Sequence, residues 1–410
     1  MNHTAPTYSA DFATAAASRL SRAGFLCGVV GLAVAIGLGL AEGDHMRHFW
    51  LSYLIAFAFV LTLGVGGLFF VLIQHITGAK WSVTVRRQAE FAIGTIPFLA
   101  FLALPLLVPL FSHEGVEEFG GLLWSWVHPH GDHAALITSK VPFLNVNFFV
   151  GRFVGYFLIW SLMARYFKNA SIEQDKTGEH ELTVRMRTRS ALCLVVLALT
   201  YSFAAFDLLM STDPAWFSTI FGVYLFGASF LAIHCFLVLS TLYYQRQGHL
   251  KKMVTIEHYH DLGKLMLAFT IFWAYIAFSQ YMLYWYGNIP EETAWYLIRI
   301  TSPWTNWSWI EPIGHFFIPF LGILSRHIKR KPPLLGFWAF YILVVHYIDL
   351  YWLVAPNLYP DTVPFNGVEV FALIGVVGLF LWKYGQQAKK HSLLAHRDPL
   401  ISDCLAFQNY

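Results

Sequence analysis

Pairs of titratable side chains recur at helical spacing inside the apolar stretches of this 410-residue sequence. His346 and Asp349 are three residues apart and Glu311 and His315 are four apart, so each pair lies on one face of a helix. A charged side chain at the bilayer centre costs roughly 2.5–3.5 kcal/mol on insertion scales, so such residues usually face protein or water and serve a function. Histidine titrates near neutrality, and burial raises the pKa of a carboxyl group toward the same range. The pattern therefore favours proton transfer.

The polar groups within the apolar stretches gather at both ends of the predicted spans and thin out between them. Two half-channels would have this layout, and the aromatic run at 272–275 could exclude water between them. We therefore predict a proton path with an outer leg and an inner mouth. The outer leg comprises His346, Asp349, Glu311, His315 and Asp207; the inner mouth comprises His260, Asp261 and Lys264, with His234 as a relay. The alternative is a set of ion pairs that only fix helix register, which suits Glu311 and the inner mouth because they lie near headgroup water.

A second set of polar residues has the chemistry of a quinone pocket. Arg152, Asp207, Gln280 and Tyr284 all fall near the predicted outer side. Arginine is always charged and donates well to a carbonyl oxygen, while Asp207 could take the released proton. The rival interpretation is a structural ion pair between Arg152 and Asp207.

Haem and metal chemistry have weaker support. A bis-histidine haem could use His315 with His346, or His75 with a histidine near the inner end of span seven, but these histidines have polar neighbours that suit proton transfer better. The four cysteines form no CxxC or CxxCH pattern, so neither a covalent haem nor an iron–sulfur cluster is encoded. The loop segment HPHGDH at 128–133 could form a surface metal site, but a polar turn explains it equally simply. We predict no metal site.

Composition identifies the elements that must position these side chains. Hydrophobic residues make up 57% of the chain and charged residues 12%, and the mean hydropathy is +0.53, as in an integral membrane protein. We predict an all-α fold whose ten spans form two four-helix bundles (spans two to five and six to nine) and two flanking helices. The spans are 23–42, 49–73, 88–111, 146–167, 188–210, 216–244, 261–287, 308–326, 333–354 and 367–385.

The basic residues predict the orientation of the chain. Of the 27 Lys and Arg residues, only Arg47, Lys140 and Arg299 fall in predicted outer loops, and Arg152 lies inside a span. The positive-inside rule then places both termini in the cytoplasm. The predicted organisation is a tail at 1–22, a membrane domain at 23–386 and a tail at 387–410. Because the basic residues set the orientation of the chain in the membrane, the net charge of +3 gives no indication of nucleic-acid binding.

Three segments resemble motifs of the NrfD-like membrane subunits of alternative complex III. They are KVPFLNVNFFVGRFVGYFLIW at 140–160, STDPAWFSTIFG at 211–222, and FWAYIAFSQY at 272–281 followed by WYGN and PEET. The similarity extends over nearly all ten spans and is greatest to the second such subunit. The resemblance implies a bacterial inner-membrane subunit of a quinol:cytochrome c oxidoreductase, with one outer helix on each side of its two bundles.

The resemblance also implies which partners the chain has. An iron–sulfur subunit and haem c subunits would supply the redox centres, beside a paralogous NrfD-like subunit and a terminal oxidase. This chain would contact membrane lipids, conduct protons and bind menaquinone or ubiquinone without a covalent cofactor. A proton-coupled secondary transporter is the alternative from another class. Against it, the sequence shows no span clearly interrupted by Gly or Pro in mid-membrane.

Overall fold

A computed structural model describes residues 8–112, 121–129, 133–301 and 303–408. Within these ranges the regular structure is helical, and nine helices are long and apolar enough to cross a membrane. We number the long helices α1–α10 in chain order. Nine of them are the apolar helices just described, and α8 is a further helix made of three consecutive segments. Their bounds are α1 Thr14–Glu42, α2 Arg47–Thr77, α3 Val83–Phe111, α4 Val146–Thr177, α5 His180–Leu208, α6 Phe221–Arg246, α7 Ile256–Gly287, α8 305–324, α9 Pro332–Leu358 and α10 Val368–Lys390.

Helix α8 covers the predicted span at 308–326, but it is irregular. It consists of an α-helical start, Thr305–Trp309, a π-helical middle, Ile310–Phe317, and an α-helical end, Ile318–Leu324. Pro312 and Pro319 explain the irregularity, because proline has no N–H and its ring clashes with the carbonyl four residues earlier. The run from 305 to 324 stays helical throughout, so α8 is irregular but not broken. Wide π turns are frequent at functional sites.

Helices α2 and α6 form the centre of the molecule. The apolar window of α2 is wholly buried and that of α6 is 83% buried. Helix α2 packs against α3, α5 and α6, and α4 packs against α3 and α5. Helix α6 packs against α7 and α9, and α8 lies between α7 and α9. These contacts give one helix group of α2–α5 and another of α6–α9, joined by α2 and α6.

Helices α1 and α10 pack against each other along their length. A Cβ atom added at Gly24 would lie 2.7 Å from the Gly378 carbonyl oxygen, and one at Gly31 would lie 2.6 Å from the Gly375 nitrogen. Small residues let helix backbones approach this closely. Because α10 also packs against α2, both flanking helices lie on one side of the molecule. The implied arrangement, with one outer helix on each side, was wrong.

The segment after α10 folds back onto the ends of the helices. Leu393 and Leu394 are fully buried, and the Asp398 carboxylate accepts a hydrogen bond from Arg86 of α3 at 2.5 Å. The Leu393 N–H donates to the Asp11 carbonyl at 2.8 Å. Both predicted tails therefore contain residues that are part of the folded core.

Candidate functional site

Helices α8 and α9 bring four titratable side chains together in the middle of the second helix group. Glu311 and His315 come from α8, and His346 and Asp349 come from α9; we call these four the acid–histidine cluster. His315 Nδ1 lies 3.8 Å from Glu311 Oε2 and 4.0 Å from Asp349 Oδ2, and His346 Nδ1 lies 3.9 Å from the same Asp349 oxygen. Sequence spacing predicted the two pairs, and the structure joins them at Asp349.

The acid–histidine cluster is buried deep in the helix group. Glu311 is 8% exposed, and the other three side chains are at most 1% exposed. At a rise of about 1.5 Å per residue, Asp349 lies roughly 14 Å from the C-terminal end of α9. The Glu311 carboxylate faces a histidine and a second carboxylate. Its expected position close to headgroup water stays a prediction.

Three further helices contribute to the surroundings of the cluster. The Tyr224 hydroxyl of α6 donates a hydrogen bond to Asp349 Oδ1. The Trp273 ring of α7 lies over the His315 ring, with their centroids 3.8 Å apart. Thr62 Oγ1 of α2 lies 3.0 Å from His346 Nε2. Sequence reasoning missed Tyr224 and Thr62 and included Trp273 only in the water-excluding run at 272–275, because neutral polar and aromatic side chains in an apolar span resemble ordinary core residues.

Thr62 positions the His346 ring. Its hydroxyl oxygen lies 3.0 Å from His346 Nε2 and 2.6 Å from the Phe59 carbonyl oxygen. The other ring nitrogen, His346 Nδ1, lies 3.9 Å from Asp349 Oδ2. A single proton or a single water between Nδ1 and Oδ2 would join these two atoms.

Several atoms of the cluster point inward without a hydrogen-bond partner. They are both carboxylate oxygens of Glu311, both ring nitrogens of His315, His346 Nδ1 and Asp349 Oδ2. Within the described part of the chain, the carboxylates of Glu311 and Asp349 pair with the two histidines of the cluster, and no Lys or Arg pairs with them. An unpartnered buried polar group costs about 1–3 kcal/mol. The arrangement is therefore suited to binding protons or a small cation.

The cluster also has the spacing of a metal site. Glu311, His315 and Asp349 each offer a ligand atom, and these atoms lie within 4.8 Å of one another. A haem held by His315 and His346 through Nε2 would have to displace Thr62, whose Oγ1 lies 3.0 Å from His346 Nε2. The candidate metal loop at 128–133 lies partly outside the described residues.

Arg152 and Asp207 form a separate site in the first helix group. Arg152 Nε donates to Asp207 Oδ2 at 2.8 Å and Nη2 donates to Oδ1 at 2.7 Å, while Tyr156 also donates to Oδ2 at 2.7 Å. The guanidinium lies between the Phe143 and Phe148 rings, 3.8 and 4.3 Å from their centroids. Both Asp207 oxygens are thus occupied. This geometry favours the structural ion pair over a proton acceptor.

Gln280 and Tyr284 bond to other partners than this ion pair. Gln280 Nε2 donates to the Tyr296 hydroxyl at 3.1 Å, and its Oε1 accepts from Ser218 at 2.9 Å. The Tyr284 hydroxyl donates to the Phe217 carbonyl. A cavity of about 310 Å³ lies nearby, lined by Phe143 and Phe217 among others but by none of the four predicted pocket residues. The candidate quinone pocket remains a prediction.

The predicted inner mouth is not hydrogen-bonded to the acid–histidine cluster. Asp261 forms an ion pair with Lys264, and His260 is buried beside them. His234 Nδ1 donates to the Phe230 carbonyl at 2.5 Å. His234 and Tyr224 are ten residues apart on α6, which corresponds to about 15 Å. His234 Nε2 has no hydrogen-bond partner, so the structure shows no continuous chain through the predicted relay.

Arg299 is a buried cation that the sequence reasoning treated only as a loop residue. It is fully buried beside the C-terminal part of α9, stacked at 3.3 Å on the Trp295 ring. Pro356 has no N–H for the Trp352 carbonyl, and Arg299 Nε donates to that carbonyl at 3.3 Å. A second donation reaches the Leu353 carbonyl at 2.9 Å. Arg299 therefore stabilises the end of α9.

Compared with known proteins, the chain matches no protein-family model and no curated protein. Its fold and composition are those of a helical, apolar, multi-pass membrane protein. The acid–histidine cluster is the most concentrated buried titratable site in the described second helix group.

Proposed function

We propose that this chain is an integral membrane subunit of a respiratory quinol oxidoreductase, and that the acid–histidine cluster passes protons. The observation that carries the proposal is the pair of His346 Nδ1 and Asp349 Oδ2, 3.9 Å apart in a buried cluster of two histidines and two carboxylates, where a proton can be shared. Glu311 and His315 extend the set of sites to which that proton can move. Proton-transfer groups must lie within hydrogen-bond reach or be joined by one water, and separations of 3.8–4.0 Å fit the second case.

Aromatic side chains would separate this site from the inner mouth. Phe226, Phe230, Phe269 and Phe272 pack together around α6 and α7, with the Phe230 and Phe269 ring centroids 4.4 Å apart. Such packing excludes water between the cluster and His234. A proton moving fully across would be opposed by about 2.3 kcal/mol per 100 mV. Net transport therefore needs a redox step that opens this barrier, which the partner subunits would supply.

The redox role is proposed from the resemblance to NrfD-like subunits. In this view, partner chains hold the iron–sulfur clusters and haem c, and the chain lies in the bacterial inner membrane. A quinone head group would occupy the region between the Arg152 ion pair and Gln280. Asp207 would then act structurally, by holding Arg152 in place.

One observation favours a second candidate, a proton-coupled secondary transporter. The π-helical segment of α8 makes this helix irregular at the acid–histidine cluster, and transporter binding sites are typically formed by irregular helices. Purification distinguishes the two functions. Co-elution of the chain with haem c and iron–sulfur subunits supports the oxidoreductase, whereas transport by the chain alone in vesicles supports the carrier.

A variant of Glu311 tests the proton-transfer role. In the purified assembly in sealed vesicles, Glu311→Gln should lower the number of protons moved per electron while quinol oxidation continues. The matched control is Glu369→Gln, because Glu369 is also buried but bonds His48 at 2.6 Å outside the cluster. Unchanged proton stoichiometry in Glu311→Gln, with full assembly, would remove the cluster from the path.

A further inference from the structure

A solvent-facing groove opens where α6 ends and α7 and α9 begin. Its volume is about 700 Å³, and its lining includes the cations Arg246, Lys251 and Arg330 and one carboxylate, Glu257. Arg330 donates to both Glu257 oxygens, at 2.8 and 2.5 Å, so these two charges compensate each other. The net positive charge of the groove therefore comes from Arg246 and Lys251.

Hydrogen bonds hold the backbone around the groove. Helix α7 begins with a capping box in which the Thr255 side chain accepts a hydrogen bond from the Glu257 N–H. Gln245 Nε2 donates to the Val254 carbonyl at 2.8 Å, and its Oε1 accepts from the Tyr259 hydroxyl at 2.8 Å. These contacts connect the end of α6 to the start of α7. Arg246 and Lys251 therefore lie next to a turn that hydrogen bonds hold in place.

An exposed apolar stripe leads from the groove along α9. Pro333 lines the groove, and Phe337, Phe340 and Val344 follow it at spacings of four, three and four residues. Residues at this spacing lie on one face of a helix. Phe337, Phe340 and Val344 are 59%, 61% and 44% exposed. The stripe is long and apolar, as an acyl chain requires, and it begins next to the cations.

We propose that this groove binds an anionic phospholipid. The phosphate of the head group lies between Arg246 and Lys251, and an acyl chain lies along Phe337, Phe340 and Val344. Basic pockets between helix ends are a recognised form of anionic-lipid site. Free phosphate would use only the cationic part of this surface. The inference goes beyond proton transfer and does not depend on it.

Lipid retention by the purified full chain tests the proposal. The chain is extracted from vesicles containing equal amounts of phosphatidylglycerol and phosphatidylcholine, and bound lipid is measured by native mass spectrometry. We expect one retained phosphatidylglycerol. Each basic residue near a membrane surface contributes about 1 kcal/mol to anionic-lipid binding, so the double variant Arg246→Gln, Lys251→Gln should bind roughly thirty-fold more weakly.

Two matched variants separate this site from general surface charge. Lys389→Gln with Lys390→Gln removes two exposed cations outside the groove and should leave retention unchanged. Arg246→Lys with Lys251→Arg keeps both charges and should retain the lipid, which excludes misfolding as the cause of loss. Equal loss in the control pair, unchanged retention in the groove variant, or displacement of the lipid by inorganic phosphate would each overturn the proposal.

Discussion

Replacing Asp349 with asparagine is the most informative single change, because it separates charge from shape. Asparagine keeps an oxygen for the Tyr224 hydroxyl and places an amide opposite His346 Nδ1. The substitution therefore keeps a polar group on each side of the pair. We expect the free energy of unfolding to change by no more than about 1 kcal/mol.

The effect on proton occupancy should be much larger. A charged imidazole 3.9 Å from a carboxylate gains about 4 kcal/mol at an effective dielectric constant of 20, and this attraction is lost in Asp349→Asn. Asparagine also cannot take up or release a proton, so the cluster loses one of its proton-carrying groups. Proton movement should therefore fall steeply in a protein that is still folded. The measurement is dye-reported proton uptake by sealed vesicles, with thermal unfolding recorded on the same samples.

The same substitution at Asp207 should lower stability and leave proton movement unchanged. Asp207→Asn breaks a buried pair with Arg152, and leaving one partner of such a pair uncompensated costs about 3–5 kcal/mol. Proton movement per folded molecule should remain unchanged, because both Asp207 oxygens are already bonded. Normal proton movement in a stable Asp349→Asn protein would refute the assignment of the cluster.

Three more outcomes can be checked directly. Zn²⁺ at micromolar concentration should inhibit proton movement, because Glu311, His315 and Asp349 have metal-ligand spacing, and Glu311→Gln should weaken this inhibition in a titration. Arg299→Met should lower the free energy of unfolding by at least about 2 kcal/mol in thermal melts, because it leaves buried carbonyls unpaired. The exposed control Arg185→Met should change the free energy of unfolding by less than about 0.5 kcal/mol. A C-terminal reporter that is active only outside the cytoplasm should give no signal, and a strong signal would reverse the predicted topology.

The amino-acid sequence determined the class of the protein and the contents of each helix. Apolar stretches of spanning length predict the helices, and the regular α-helical rise and rotation place His346 with Asp349. The same spacing predicted Glu311 with His315, which stay neighbours in a π-helical segment. Within one helix, spacing alone fixes which side chains share a face. The irregular α8 was the exception, because Pro312 and Pro319 act together on a short span.

Only the tertiary structure decided which helix faces meet. Spacing along the chain says nothing of distances between helices, which depend on how side chains of different helices fill space together. Packing between helices joins the two pairs at Asp349 and brings Tyr224 and Thr62 to them. It also pairs Asp207 with Arg152. The same reason explains why α1 and α10 lie side by side, since glycines on both helices allow a closeness that neither sequence segment specifies alone.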